Sequence, residues 1–158
     1  MKTLIAYATR YGCARRAAEA LGSLLGGEVS LVDLKADGDP DPGPFDAVIV
    51  GGSIQAGSVQ KRVRAYCARR SAELLGKRLG LYLCCMYEGD VAAKQLADAF
   101  PEALRSHATA SGLFGGEIDL EKIGFIAKVV VKKVAGVTES VSKFDEKAVA
   151  AFAERMRS

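Results

Sequence analysis

The feature that most constrains the fold is the start of the chain, where a buried strand, a short loop and a helix follow one another directly. Residues 2–8 (KTLIAYA) form an apolar run that predicts a strand, and residues 15–25 (RRAAEALGSLL) have helical spacing. Between them lies a loop that contains Thr9 and Gly12. Unpaired N–H groups and the helix dipole at such a junction favour an anion such as phosphate. The arrangement is typical of a doubly wound α/β fold.

The rest of the chain alternates between strand-like and helix-like segments. Strands are predicted at residues 28–34, 47–52, 79–86 and 108–114, and helices at residues 59–75, 90–100 and 144–156. Five strands with intervening helices predict an α/β protein whose parallel sheet has the order 2-1-3-4-5 and is covered on both faces. We interpret residues 1–158 as a single domain, because that length suits one compact core.

Composition excludes several classes of protein. Apolar residues make up 49% and charged residues 26% of the chain, which is typical of a globular protein. Met1 is followed directly by a strand, and no apolar run approaches the ~20 residues that cross a bilayer, so we expect a cytoplasmic protein. The net charge is +3, without a dense basic tract or interleaved aromatic residues, and we therefore expect no nucleic-acid binding.

No catalytic side chain is predicted. The four cysteines have neither CxxC nor zinc-site spacing, so we expect buried thiols and no metal site. Cys13 lies near a predicted helix start, where the pKa of a thiol falls. A phosphatase-type loop requires an arginine six positions later, and the residue there is Glu19. The lone histidine, His107, belongs to no Ser–His–Asp set.

Three predicted loops should meet at one edge of the sheet. In a doubly wound sheet, ligands bind beyond the carboxyl ends of the strands, at the switch point between strands 1 and 3. The loops that follow strands 1, 3 and 4 gather there. Their candidate binding residues are Thr9, Arg10, Tyr11, Gly12, Cys13 and Ala14 in the first loop, Ser53, Ile54, Gln55, Ala56 and Gly57 in the second, and Met86, Tyr87, Glu88 and Gly89 in the third.

This three-loop set resembles a flavodoxin-like FMN-binding domain. The resemblance implies that the first loop holds the FMN phosphate through hydroxyls and backbone amides, and that the other two loops sandwich the isoalloxazine ring. Tyr87 would stack on the ring. The usual final threonine of the first loop is Ala14 here, so one hydroxyl contact is missing, and the charge of Arg10 or Arg15 would compensate for it.

Residues 115–142 form an insert before the last predicted helix. Within it, residues 120–135 have the spacing of a basic amphipathic helix that is apolar over a wide arc. Three alternatives remain open for its apolar face. It packs on its own sheet, it packs on a second copy in a homodimer, or it contacts a partner or the surface of the inner membrane as a peripheral site.

The insert and the opening segment KTLIAYATRYG are similar to those of flavodoxin-like protoporphyrinogen oxidases. The resemblance implies an FMN-dependent oxidoreductase of heme biosynthesis that passes electrons from protoporphyrinogen to a quinone. Two alternatives stay open. The chain is a flavodoxin-type electron carrier that serves a redox partner, although such carriers are usually acidic, or it is an FMN-free interaction domain, which Ala14 would favour.

Overall fold

The computed structural model describes residues 1–118 and 141–158. Their strands are β1 (Lys2–Tyr7), β2 (Glu28–Asp33), β3 (Ala47–Gln55), β4 (Ser58–Val59), β5 (Arg78–Cys84), β6 (Ala110–Leu113), β7 (Glu117–Ile118) and β8 (Val141–Ser142). Their helices are α1 (Cys13–Leu25), α2 (Lys61–Arg69), α3 (Ser71–Leu75), α4 (Gly89–Ala99), α5 (Glu102–His107) and α6 (Glu146–Arg157).

The main sheet confirms the predicted α/β architecture. Its parallel strands lie in the order β2-β1-β3-β5-β6, which is the 2-1-3-4-5 order expected from the sequence, and β4 adds an antiparallel pair to β3. The helices cover both faces, as right-handed crossovers require. One hydrophobic cluster joins the sheet to α1 and α6, and a second joins it to helices α2 to α5.

Several predicted boundaries were wrong. The helix predicted over residues 59–75 is divided into α2 and α3 at Arg70, and Val59 belongs to β4. The strand predicted over residues 79–86 ends at Cys84, because the next amide, that of Cys85, donates to the Gly115 carbonyl instead of continuing the sheet. The helix α5 was not predicted.

Among the residues that the structure describes, Thr3 of β1 is the one polar residue that is buried in the core. Its side chain in β1 is fully buried, and the hydroxyl oxygen finds no hydrogen-bond partner in the described part of the chain. An unpartnered buried hydroxyl costs about 1–3 kcal/mol relative to an apolar group of the same shape. We expect Thr3→Val to raise the free energy of unfolding by about 1 kcal/mol in urea denaturation. A loss of stability would show that the hydroxyl has a partner in solution.

The insert begins with a short antiparallel ladder in which Glu117 pairs with Ser142 and Ile118 with Val141. Arg16 of α1 fastens this ladder to the main domain, because its guanidinium lies 3.2 Å from the carboxylate of Glu117, 3.6 Å from that of Glu146 and 4.3 Å from the centre of the Phe144 ring. The amphipathic segment predicted at residues 120–135 lies outside the described residues. Within the described ranges, no helix combines the length and apolar character needed to cross a membrane.

Candidate functional site

The strand register brings the three predicted loops to the same edge of the sheet. Tyr7, the last residue of β1, pairs with Gly51 of β3, and Ser53 of β3 pairs with Cys84, the last residue of β5. The Ala8 amide also donates to the Gly51 carbonyl. The first loop therefore begins beside the second, and the second beside the third.

The first loop turns into α1 at Gly12. This residue has φ +100°, in the left-handed region that glycine adopts without strain, and an added Cβ would meet no atom within 4 Å from the described residues other than its chain neighbours. The Gly12 N–H donates to Thr9 Oγ1 at 3.0 Å, so the Thr9 side chain holds the turn. Because Oγ1 serves as the acceptor, the Thr9 hydroxyl proton remains free to reach an anion.

The backbone N–H groups of this loop are the strongest feature of the site. Those of Arg10, Tyr11, Cys13, Ala14 and Arg15 donate to no acceptor within the described ranges, whereas the Arg16 N–H closes the first helical bond to the Gly12 carbonyl. Free donors at a helix N-terminus, together with the positive end of its dipole, make an anion site. The open space beside Gly12 leaves room for the anion.

The side chains of Cys13 and Ala14 point away from this anion site into the core, where they are 8% and 0% exposed. The interaction of the Cys84 thiol with that of Cys13 lowers the pKa of Cys13, while the same interaction and burial raise the pKa of Cys84. Burial of the pair agrees with the expectation that these are structural thiols, and all four cysteines are free and buried. A hydroxyl at position 14 would face the core, so the loss of threonine there leaves the backbone donor intact.

Tyr82 of β5 contacts the first turn of α1 from the sheet, a role that the sequence did not reveal. Its buried hydroxyl donates to the Ala14 carbonyl at 2.8 Å, and its ring stacks on Phe114 with 5.0 Å between centroids. The ring also lies across Gly51, where an added Cβ would stand 1.9 Å from a ring carbon. A glycine in β3 thus permits a tyrosine of β5 to reach α1.

The two arginines proposed to compensate for Ala14 differ in their surroundings. Arg15 lies 3.1 Å from the Glu19 carboxylate, one helical turn away, and this hydrogen bond raises its pKa. Arg10 is exposed, lies over the Tyr11 ring at 5.1 Å, and makes no ion pair with a described carboxylate. The charge of Arg10 therefore remains available to an anion bound at the first loop.

The second loop is a β-hairpin. Ser53, Ile54 and Gln55 extend β3, and both turn residues have positive φ, 49° at Ala56 and 82° at Gly57, as in type I′ turns. Gln60, which the sequence analysis missed, fastens the hairpin. Its amide oxygen accepts from the Ser53 N–H at 3.0 Å, and its amide nitrogen donates to the Ser53 hydroxyl at 2.7 Å.

The third loop presents an exposed aromatic ring. Tyr87 is 61% exposed, the Cys85 thiol donates to its carbonyl oxygen at 3.6 Å, and Gly89 opens α4 with φ +61°. The ring covers little of the protein's own core and is free to contact a planar ligand.

A cavity of about 240 Å³ lies beside this third loop. Met86, Tyr87, Glu88 and Gly89 line one wall, and Leu113, Gly115, Lys143 and Asp145 line the other. No residue of the first or second loop lines this cavity. It thus lies on the β6 side of the third loop, away from the hairpin. The described residues hold no cluster of three or more metal-ligating side chains.

Comparisons with known proteins agree on one fold. The family model described as "Flavodoxin domain" matches residues 4–145. Oxidised flavodoxin 1 from Bacillus cereus is 14% identical, with 99% of this chain and 97% of that chain covered and a TM-score of 0.61. A short-chain flavodoxin associated with a non-canonical PDU bacterial microcompartment is 18% identical, with coverage of 99% and 96% and a TM-score of 0.62.

Flavodoxin from Streptococcus pneumonia TIGR4 is 17% identical, with coverage of 99% and 97% and a TM-score of 0.58. At such identities the solved structures establish the fold alone. No curated protein sequence matches the chain.

Proposed function

Because the chain belongs to the flavodoxin domain family, whose members bind FMN and pass electrons to redox partners, we propose that it is an electron carrier that holds FMN at the carboxyl edge of its sheet. FMN supplies one- and two-electron redox chemistry when bound. The chain's part is to bind the cofactor, orient it and leave one side accessible to a partner.

The phosphate would be held by the first loop. The free N–H groups of residues 10, 11 and 13–15 and the Thr9 hydroxyl supply donors, and Arg10 supplies charge. Hydrogen bonds to a charged acceptor contribute about 1.5–3 kcal/mol each, more than neutral ones. This set of free backbone donors, at the edge of the sheet where the three loops meet, is the observation that carries the proposal, because the donors and the positive end of the α1 dipole together favour an anion.

The isoalloxazine ring would lie between the hairpin and the third loop. The rigid edge formed by Ile54, Gln55 and Ala56 would serve as one wall, and Tyr87 would stack on the other. Ser53 can offer the ring only its hydroxyl proton, because its N–H donates to Gln60 and its hydroxyl oxygen accepts from the Gln60 amide nitrogen. No acid or base is needed for electron transfer, and none is assigned.

A titration tests cofactor binding directly. The purified chain, stripped of any flavin, should quench FMN fluorescence with a stoichiometry of one and shift its visible absorption bands. Flavin emission that stays unquenched at micromolar chain and FMN would favour the FMN-free interaction domain instead.

Removal of the Tyr87 ring should weaken FMN binding without harming the fold. Tyr87→Ala deletes a stacking surface that contributes about 1.4 kcal/mol, so the dissociation constant should rise about 10-fold. The free energy of unfolding should change by less than about 0.5 kcal/mol, because the side chain is 61% exposed. Tyr87→Phe, which keeps the ring, is the control and should bind as the original chain does. Equal affinity of all three proteins would remove Tyr87 from the site.

Protoporphyrinogen oxidase activity is the second candidate function. It rests on the sequence similarity of the opening segment and the insert, and on a net charge of +3, which suits an anionic substrate. The family model describes a flavodoxin domain and the solved structures above are flavodoxins, so neither supports this activity. Turnover of protoporphyrinogen with a quinone acceptor would separate an oxidase from a carrier, and co-sedimentation with anionic vesicles would test residues 120–135 as a membrane contact.

A further inference from the structure

The helix α2 carries basic side chains on its exposed side and no acidic residue. Val63, Tyr66 and Cys67 are buried against the sheet, whereas Lys61 and Arg62 are exposed. Arg64, one turn further along, is exposed as well. We call Lys61, Arg62 and Arg64 the basic face of α2.

These charges do not serve the stability of their own helix. A cation in the first turn opposes the positive end of the helix dipole, and Lys61 and Arg62 occupy that turn with no acidic residue beside them. Arg69 and Arg70, at the other end of α2, do have partners, with Asp39 at 2.6 Å and Glu73 at 3.1 Å.

In contrast to these two arginines, the basic face makes no ion pair with any carboxylate of residues 1–118 or 141–158. Cations in the first turn of a helix that are not offset by an ion pair are unfavourable for the fold, and such unfavourable features are typical of functional surfaces.

The position of the basic face links it to electron transfer. The helix begins directly after the hairpin, and the Gln60 side chain at its start makes two hydrogen bonds to Ser53. The basic face is therefore fixed to the hairpin, the proposed wall of the flavin site. Glu88 in the third loop and Asp90 in the first turn of α4 place negative charge on the third-loop side of the site, whereas the exposed charges next to the hairpin, on the basic face of α2, are positive.

We infer that the basic face of α2 is the docking surface for an acidic redox protein that exchanges electrons with the bound flavin. The inference deepens the proposed function and rests on it for the electron-transfer step, but not for docking itself. An acidic partner would be attracted over a Debye length and guided to the hairpin, where its redox centre and the flavin edge come close. The net charge of +3 also favours a negatively charged partner.

The test reverses two charges that the helix does not need. Lys61→Glu/Arg62→Glu is compared with Lys35→Glu/Lys147→Glu, which changes the net charge equally at two exposed lysines outside α2. The probe is an acidic plant-type [2Fe–2S] ferredoxin. Its binding to the FMN-free chain is measured by calorimetry at low ionic strength, and its electron transfer to the FMN-loaded chain by stopped flow.

We expect the α2 variant to lose at least about 10-fold in ferredoxin affinity and in the second-order rate constant, with the difference vanishing at 1 M salt. The control variant should change the ferredoxin affinity and the rate constant by less than about 3-fold each. FMN affinity should be unchanged and thermal stability unchanged or raised, because the new glutamates suit the helix dipole. With a basic cytochrome c as the electron acceptor, the second-order rate constant should be higher for the α2 variant than for the original chain.

Two results would overturn the inference. One is an equal loss of ferredoxin affinity in the α2 variant and the control, which would show that the effect depends only on net charge. The other is ferredoxin binding that is indifferent to α2 while anionic vesicles or nucleic acid bind through it. Failure of the FMN proposal is recognised separately, because it would abolish flavin binding in every variant and leave the calorimetric comparison with ferredoxin intact.

Discussion

Replacement of Gly12 by valine is expected to raise the dissociation constant for FMN about 100-fold. At φ +100° a β-branched residue is strained, so the turn must move toward a conformation with negative φ. This movement breaks the Gly12–Thr9 hydrogen bond and misaligns the free N–H groups that follow. A 100-fold loss corresponds to about 2.7 kcal/mol, roughly one or two charge-assisted hydrogen bonds.

Gly26→Val is the matched control for this change. Gly26 lies at the other end of the same helix and also has positive φ, at 69°. Apart from its chain neighbours, none of the residues that the structure describes comes within 4 Å of a Cβ added there. Both variants should lose about 1–3 kcal/mol of stability from backbone strain. Only Gly12→Val should lose FMN, as measured by fluorescence titration below the unfolding temperature. Equal FMN affinity in the two variants would move the phosphate away from the first loop.

The second large effect is expected at Gly51. An alanine there would place its Cβ 1.9 Å from the Tyr82 ring, which is wedged between Gly51, Phe114 and the first turn of α1. The Tyr82 ring is fully buried and packs against Phe114 and Phe152, so it cannot move aside without displacing other core side chains. We expect Gly51→Ala to lower the free energy of unfolding by about 3 kcal/mol or more in urea, at the upper end for overpacked cores.

Because Tyr82 also donates to the Ala14 carbonyl, Gly51→Ala should weaken FMN binding even though Gly51 is not one of the residues proposed to hold the phosphate. Gly22→Ala, on α1, is the control. Its Cβ would lie 3.7 Å from Val29, an ordinary contact, and alanine favours a helix, so stability should be unchanged or rise by up to about 1 kcal/mol. A Gly51→Ala protein as stable as the original would mean that Tyr82 can leave its position.

The sequence predicted the elements whose signals are local. The apolar runs of β1, β3 and β5 and the helical spacing of α1 and α6 placed the sheet, its strand order and the three loops. The first loop was predicted because strand, glycine turn and helix start are contiguous. Its free amides follow from backbone geometry alone.

Features that depend on distant partners could not be predicted. The hairpin lacks the Asn-Gly or Asp-Gly signal of a type I′ turn, and its Ala56–Gly57 turn is held by Gln60. The break between α2 and α3 falls at Arg70, without glycine or proline to mark it. Tyr82 fell within the strand predicted at residues 79–86, and its contact with α1 was not predicted, since its bond to Ala14 spans 68 positions.

The proposed function depends on the free main-chain donors of the first loop, which we propose bind the phosphate of FMN. The most direct measurement compares the dissociation constants of FMN and riboflavin, which differ only in that phosphate, on the same flavin-free protein. We expect FMN to bind at least about 100-fold more tightly than riboflavin, because of the strength of charge-assisted hydrogen bonds to its phosphate. Equal dissociation constants for the two flavins would contradict that proposal.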